Sequence, residues 1–308
     1  MIKKLITLLT ATALVAPAVF AQIETGTDAG QMALDRARSA PISAGGPTTD
    51  VTVTVSDGKT LGKEVVIIEE DEKWWSVNFS TGWDSLYMFR GVNVLGNGNS
   101  LYWLGGDVSV SPWDGGSLTA GVWYGVGLGR TYSELDVFVD FTQSFGALDA
   151  SFGWVLYYYP DNFGAGGPDI YQNELYWALA YNIEVGSISF TPSATYYLNV
   201  GPDSNSSSGW TKPGASYLLF QLDSSIPVTD WLAIEPWTAF GVNFDFNNKD
   251  NGDYFQGGNN WELGLSVPIQ ITEWFGIAGY VAYSYQWQDL VGTDENTWWA
   301  GASANFSF

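Results

Sequence analysis

From residue 74 to residue 308 the chain alternates. Trp75, Val77, Phe79 and Trp83 share one parity; Ser76, Asn78, Ser80 and Asp84 share the other. Between 187 and 200, Ile188, Phe190, Ala194, Tyr196 and Leu198 oppose Ser189, Thr191, Ser193, Thr195 and Asn199. The chain closes on the same rhythm, with Trp298, Ala300, Ala302, Ala304, Phe306 and Phe308 on one side. A two-residue period is that of a strand with one apolar and one polar face. The pattern predicts strands at 74–84, 100–110, 117–127, 132–144, 148–159, 171–183, 187–200, 214–225, 231–246, 260–270, 273–287 and 297–308, twelve in all. Each is about ten residues or longer, the length of a strand that crosses an outer membrane at a tilt.

The connections alternate too. After even-numbered strands they are short: Pro112-Trp113-Asp114-Gly115-Gly116, Gly146-Ala147, Glu184-Val185-Gly186, Pro227-Val228-Thr229-Asp230 and the corner near Thr272. After odd-numbered strands they are mostly longer and polar, as at 161–168, 203–209, 247–259 and 288–296; the connection at 125–131 is the exception. Short turns at one end and long loops at the other are the habit of outer-membrane barrels. Alternation alone does not separate a barrel from a sandwich, because both have one apolar face. Loop asymmetry, an even strand count and both chain ends do. The expected fold is an all-β, transmembrane, up-and-down antiparallel barrel of about twelve strands over 73–308.

The start of the chain has its own character. Met1-Ile2-Lys3-Lys4 is a basic lead, Leu5 to Phe20 is apolar, and Val19-Phe20-Ala21 offers small residues where a signal peptidase reads. Residues 1–21 are therefore expected to be a signal peptide cleaved after Ala21. Residues 22–72 lack aromatics and hold a Gly/Ala/Ser/Pro/Thr-rich stretch at 39–49. They are expected to be a largely disordered periplasmic extension, with a small hairpin where Val51–Val55 and Val65–Ile68 flank Asp57-Gly58. At the other end, Phe308 is the expected assembly signal, read by the barrel-assembly machinery of a Gram-negative outer membrane.

Composition removes whole reaction classes. The chain has no His and no Cys. Ser-His-Asp chemistry, His-ligated zinc and disulfides are all excluded. Paired acids such as Asp136 and Asp140 fit the spacing of glycoside hydrolysis, but among so many acids a fitting pair arises by chance. No enzymatic activity, cofactor or metal site is expected. The 16 Trp and 17 Tyr suit two interfacial girdles, or the sugar platforms of a soluble lectin-like protein. A net charge of −22 argues against nucleic acid as a partner.

Residues 74–308 hold 23 acids against Arg90, Arg130, Lys212 and Lys249. By parity most strand acids fall on the polar face: Asp84, Asp107, Glu134, Asp136, Asp140, Glu174, Asp223, Glu235, Asp245 and Glu262. Lipid penalises charge, so that face is the lumen. The candidate pore lining is Arg90, Asp107, Glu134, Asp136, Asp140, Glu174, Glu235 and Glu262. Its sign favours cations. Loop and rim acids have another use, binding divalent cations together with lipopolysaccharide, or simply holding water. Continuing the parity of the first strand puts Arg90 inward among the acids, as a wall anchor or a selectivity residue.

Tyr87-x-Phe89-Arg90-Gly91 after the first strand, Glu134-Leu135-Asp136-Val137-Phe138, and the terminal Phe308 together resemble the TorF-type porin family. The resemblance covers roughly 74–308 and leaves 22–72 outside. It implies an outer-membrane barrel with a channel role and carries no substrate. The expected function is passive diffusion of small hydrophilic solutes, cations favoured. The alternative is a non-conducting structural or adhesive barrel. Trp103, Trp123 and Trp237 point inward by parity, and a lumen filled by Trp and Tyr would favour that alternative.

Overall fold

The computed structural model of the chain describes residues 74–160, 170–201, 213–290 and 293–308. The leader, the extension with its hairpin, and the loop tips at 161–169 and 202–212 lie outside the described residues. The elements are β1 (Trp75–Asp84), β2 (Met88–Phe89), β3 (Val92–Asn93), β4 (Ser100–Trp113), β5 (Gly116–Leu128), β6 (Ser133–Phe145), β7 (Leu148–Tyr159), β8 (Ile170–Tyr181), β9 (Ile183–Val185), β10 (Ile188–Gly201), β11 (Ser216–Thr229), β12 (Leu232–Asn248), β13 (Tyr254–Thr272), β14 (Phe275–Gln286) and β15 (Asn296–Ser307).

Twelve of these form one closed antiparallel wall, in the order β1-β4-β5-β6-β7-β8-β10-β11-β12-β13-β14-β15. The wall closes where β15 pairs with β1, from Asn78 opposite Ser307 to Asp84 opposite Gly301. Phe308 adds a last rung: its N–H donates to the Val77 carbonyl at 2.9 Å, and the Val77 N–H donates to the Phe308 carbonyl at 3.2 Å. Its ring stacks on Trp274, with centroids 6.3 Å apart. Closure leaves no open edge, which a sheet in lipid requires because no water is there to satisfy it.

Each wall strand falls on a predicted one, and β7 coincides with it. One expected loop is mostly strand: of residues 247–259, only 249–253 lie between β12 and β13. Inward and outward parity follow the sequence along most of the wall; it breaks in β13, where the register against β12 slips and consecutive Asn259 and Asn260 are both buried, and again in β12. Asp245 adopts φ 62° where β12 slips against β11, and beyond it two consecutive residues, Phe246 and Asn247, are buried. Simple alternation therefore fails past Asn243, and Asp245 is half-buried rather than a regular inward acid.

The outer face is apolar. Phe79, Val108, Leu118, Val122, Phe141, Leu179, Phe220, Leu263 and Val281 are all exposed. Rings gather toward both ends: Trp113, Phe145, Trp231 and Trp274 at the end where β1 begins and β15 finishes, and Trp83, Tyr102, Tyr171 and Trp298 at the far end. An exposed apolar belt between two aromatic girdles matches a bilayer, and the fold is a transmembrane β-barrel.

Inside, glycines make room for rings. A Cβ on Gly82 would lie 2.4 Å from Trp103 Cζ2, one on Gly153 2.2 Å from Tyr176 Cζ, and one on Gly264 2.0 Å from Trp237 Cε2. Each ring lies flat across the neighbouring strand, over a position with no side chain. The inner wall is thereby lined with tyrosine and tryptophan without over-filling the barrel.

The occluded lumen as candidate functional site

The connection from β1 to β4 does not leave the barrel. Residues 85–99 fold into it, so the parity of β1 stops at Asp84 and Arg90 is not a wall residue. β2 and β3 pair as a hairpin, Phe89 opposite Val92, with Arg90 and Gly91 at its apex. Both apex residues have positive φ, 49° and 82°, as in a type I′ turn. Gly91 is also held by space, since a Cβ there would lie 2.7 Å from Asn260 Cγ.

The hairpin spans the lumen. Tyr87, Met88 and Leu95 are each 1 % exposed. Tyr87 meets Trp123 and Tyr132, and its hydroxyl donates to Glu134 at 2.8 Å. Phe89 meets Tyr157 and Phe246. Met88 is buried in one cluster with Tyr280, Ala282 and Trp299. The Arg90 carbonyl accepts from Asn247 Nδ2 at 2.9 Å and Asn259 Nδ2 at 2.8 Å. These contacts, with those of Arg90 itself, reach β5 through β8 and β10 through β15. At this level the lumen is closed.

Arg90 carries the tightest anchor. Its Nη1 and Nη2 donate to Glu174 Oε2 and Oε1, both at 2.6 Å, and Tyr157 donates to Oε1 at 3.1 Å. The guanidinium carbon lies 4.0 Å from the Tyr197 ring centroid, 4.4 Å from Phe246, 4.9 Å from Phe89 and 5.4 Å from Tyr217. The two charged side chains are 2 % and 0 % exposed. A planar fork on a carboxylate between aromatic faces is a geometry arginine supplies and lysine does not. Such a pair is costly to break on one side, because the remaining charge stays buried.

The structure turns every acid predicted for the lining inward: Asp107 on β4, Glu134, Asp136 and Asp140 on β6, Glu174 on β8, Glu235 on β12 and Glu262 on β13, all buried. With Asp84, Asp149 and Asp223, ten buried carboxylates face one buried guanidinium among the described residues. Neutral donors hold many of them. Asp84 accepts from Tyr280 at 2.6 Å and Trp103 at 3.0 Å. Asp140 accepts from Tyr176 at 2.6 Å and Thr142 at 2.8 Å, and Tyr132 joins Tyr87 on Glu134. Glu262 accepts from Asn260 at 2.8 Å, Asp107 from Asn78 at 2.9 Å and Glu235 from Ser225 at 3.1 Å. No set of three or more carboxylates among the described residues is arranged to hold a metal ion.

The two halves of the lumen differ. Around the hairpin, Tyr157, Tyr176, Tyr197 and Tyr217 are fully enclosed. Toward the end where β1 begins and β15 finishes the inward residues are small and polar, and Asn78, Ser151, Thr191, Ser193, Gln221 and Ser225 are only half-buried. The acids on this side include Asp107, Asp140, Asp149, Asp223 and Glu235. At the far mouth, the hairpin is tied down by Asn93 N–H to Thr293 Oγ1 at 2.7 Å and Asn97 Nδ2 to Asp294 Oδ2 at 2.8 Å. The inward tyrosines were absent from the predicted lining, although Tyr157, Tyr176, Tyr197 and Tyr217 sit at polar-face parity in their strands.

No protein-family model and no curated protein matches the chain. Among solved structures, the NanC porin is similar over 75 % of this chain and 98 % of its own, at 13 % identity and a TM-score of 0.47. An outer-membrane channel of Pseudomonas putida F1 is similar over 76 % and 94 %, at 10 % and 0.47. The translocator domain of the Neisseria meningitidis autotransporter NalP is similar over 78 % and 90 %, at 11 % and 0.42.

Proposed function

We propose that this protein is an outer-membrane channel for passive diffusion of small hydrophilic solutes, cations favoured, with its lumen shut by an inward loop. The observation that carries the reading is the nature of the obstruction. A loop, not the wall, closes the barrel, and the largely aromatic cluster it packs into is threaded with hydrogen bonds and one buried ion pair. The wall behind it is polar and acidic, a costly lining for a barrel that merely has to be filled. On this reading the termini face the periplasm and the half-open side is a periplasmic vestibule, and the TorF-type resemblance points the same way. The protein catalyses no reaction, and its partners are lipid, lipopolysaccharide, the assembly machinery and the solutes themselves.

One observation favours the structural barrel instead. The hairpin and its tyrosines leave no passage at their level. Single-channel recording of the purified protein, wild type and with the hairpin 86–96 replaced by a short Gly/Ser turn, separates the two. Ohmic conductance that rises sharply in the replaced form supports the channel. A replaced form that inserts, shows heat-modifiable migration and still passes no current would assign the barrel a structural role.

A further inference from the structure

We infer that the wall pocket holding Arg90 is a binding site for guanidinium solutes, which the chain's own hairpin occupies as an internal ligand. This deepens the channel reading by naming a solute class, and it rests on that reading for its physiological meaning but not for its chemistry.

The pocket belongs to the wall. Glu174 comes from β8, Tyr157 from β7, Tyr197 from β10, Tyr217 from β11 and Phe246 from β12. Apart from Phe89, every group that touches the Arg90 guanidinium in the contacts above stays in place if residues 85–99 swing away. What stays is a carboxylate with both oxygens aimed along one direction, steadied by the Tyr157 hydroxyl at 3.1 Å, and flanked by aromatic faces. The spacing is set for a flat cation. Both Nη–Oε distances are 2.6 Å, and the nearest ring centroid is 4.0 Å from the guanidinium carbon. Two parallel N–H···O bonds read a fork, and rings read a delocalised, weakly hydrated cation. An ammonium fits this pocket less well, being compact and strongly hydrated. Sodium or potassium has no donor for the fork.

Arg90 reaches the site from a strained apex, with a non-glycine residue at φ 49°. Such a conformation is disfavoured for a residue that carries a Cβ. The hairpin therefore docks for less than its contacts alone would give. A free guanidinium ligand needs no such strain, so it competes with the tethered one. Binding in the pocket and hairpin docking are mutually exclusive, and a guanidinium solute should open the path it then enters.

Calorimetric titration of methylguanidinium into detergent-solubilised protein tests this without requiring conduction. Wild type, with the pocket filled from within, should bind weakly. Arg90→Ala should bind at least about tenfold more tightly, and adding Glu174→Gln should remove that gain, as loss of a charged fork implies. Tetramethylammonium and potassium should not substitute. If Arg90→Ala folds poorly, Arg90→Lys keeps a positive charge opposite Glu174 and should bind methylguanidinium between the two. Heat-modifiable migration reports folding in each case. Refolding of Arg90→Ala that improves only when methylguanidinium is present counts as occupation of the site. A folded Arg90→Ala or Arg90→Lys barrel that binds no better than wild type, or whose binding survives Glu174→Gln, overturns the assignment. Binding without conductance would keep the site and discard the channel.

Discussion

At the scale of single residues, the molecule turns on one buried pair. Arg90 and Glu174 meet through two 2.6 Å hydrogen bonds inside a ring of aromatics. Removing one partner of such a pair costs about 3–5 kcal/mol when the other stays buried, whereas replacing both by apolar groups of similar volume is often neutral. Hairpin docking should follow that asymmetry. Arg90→Ala or Glu174→Ala alone should release residues 85–99 and raise the open fraction of single channels roughly a hundredfold or more, the equivalent of about 3 kcal/mol. The pair Arg90→Met with Glu174→Leu should restore closure. The measurement is open probability in planar bilayers across the four proteins. Equal open probability in all four would mean that the hairpin is not held shut by this pair. The sequence marks Arg90 as unusual, a lone base in an acidic stretch, but not how it is placed. Arg-Gly is not among the common type I′ dipeptides, and Met88-Phe89 and Val92-Asn93 are too short to show a period.

At the scale of elements, the strands were legible because two solvents write on them. Lipid selects apolar residues at one parity and the lumen selects small, polar or ring-bearing residues at the other, so β7 reads to the residue. What parity misses is whatever leaves the wall or breaks register: the inward hairpin, the slip at Asp245, and the slip in β13 that turns both Asn259 and Asn260 inward. The inward placement of the acids was readable for the same reason as the strands. Their donors were less so, since a tyrosine at inward parity looks apolar until Tyr176 is seen donating to Asp140 at 2.6 Å. Face assignment gives a direct stability test. Leu263→Lys puts a charge into the apolar belt and should destabilise the barrel by about 2–4 kcal/mol if the site lies at mid-bilayer. Ser193→Lys, half-buried on the polar inner face, should cost well under that. Urea unfolding in lipid vesicles reads both; a larger loss at Ser193 would mean that the faces are reversed, and equal losses that parity does not assign them. The glycines make a second test. Gly82→Ala forces its Cβ against Trp103 Cζ2, 2.4 Å away, and so should lower stability by about 1–3 kcal/mol, with a partial return in Gly82→Ala/Trp103→Leu.

At the scale of the whole molecule, charge decides what an opened barrel would pass. Among the described residues the interior buries ten carboxylates and one guanidinium, and the guanidinium rides on the hairpin. Opening therefore takes the one buried base out of the lumen and leaves the acids in the wall. Asp107, Asp140, Asp223 and Glu235 come from four strands and lie on the terminal side of the hairpin, so any solute crossing the barrel passes between them. Their field reaches about 10 Å at 0.1 M salt and about 30 Å at 0.01 M. An Arg90→Ala channel should hence prefer cations, with the reversal potential in a salt gradient moving further toward the cation limit as total salt is lowered. Changing the four acids to Asn, Asn, Asn and Gln should reduce that shift at low salt and matter little near 1 M, where the field reaches only about 3 Å. Anion preference in the Arg90→Ala protein would overturn the electrostatic argument while leaving the barrel and its hairpin untouched.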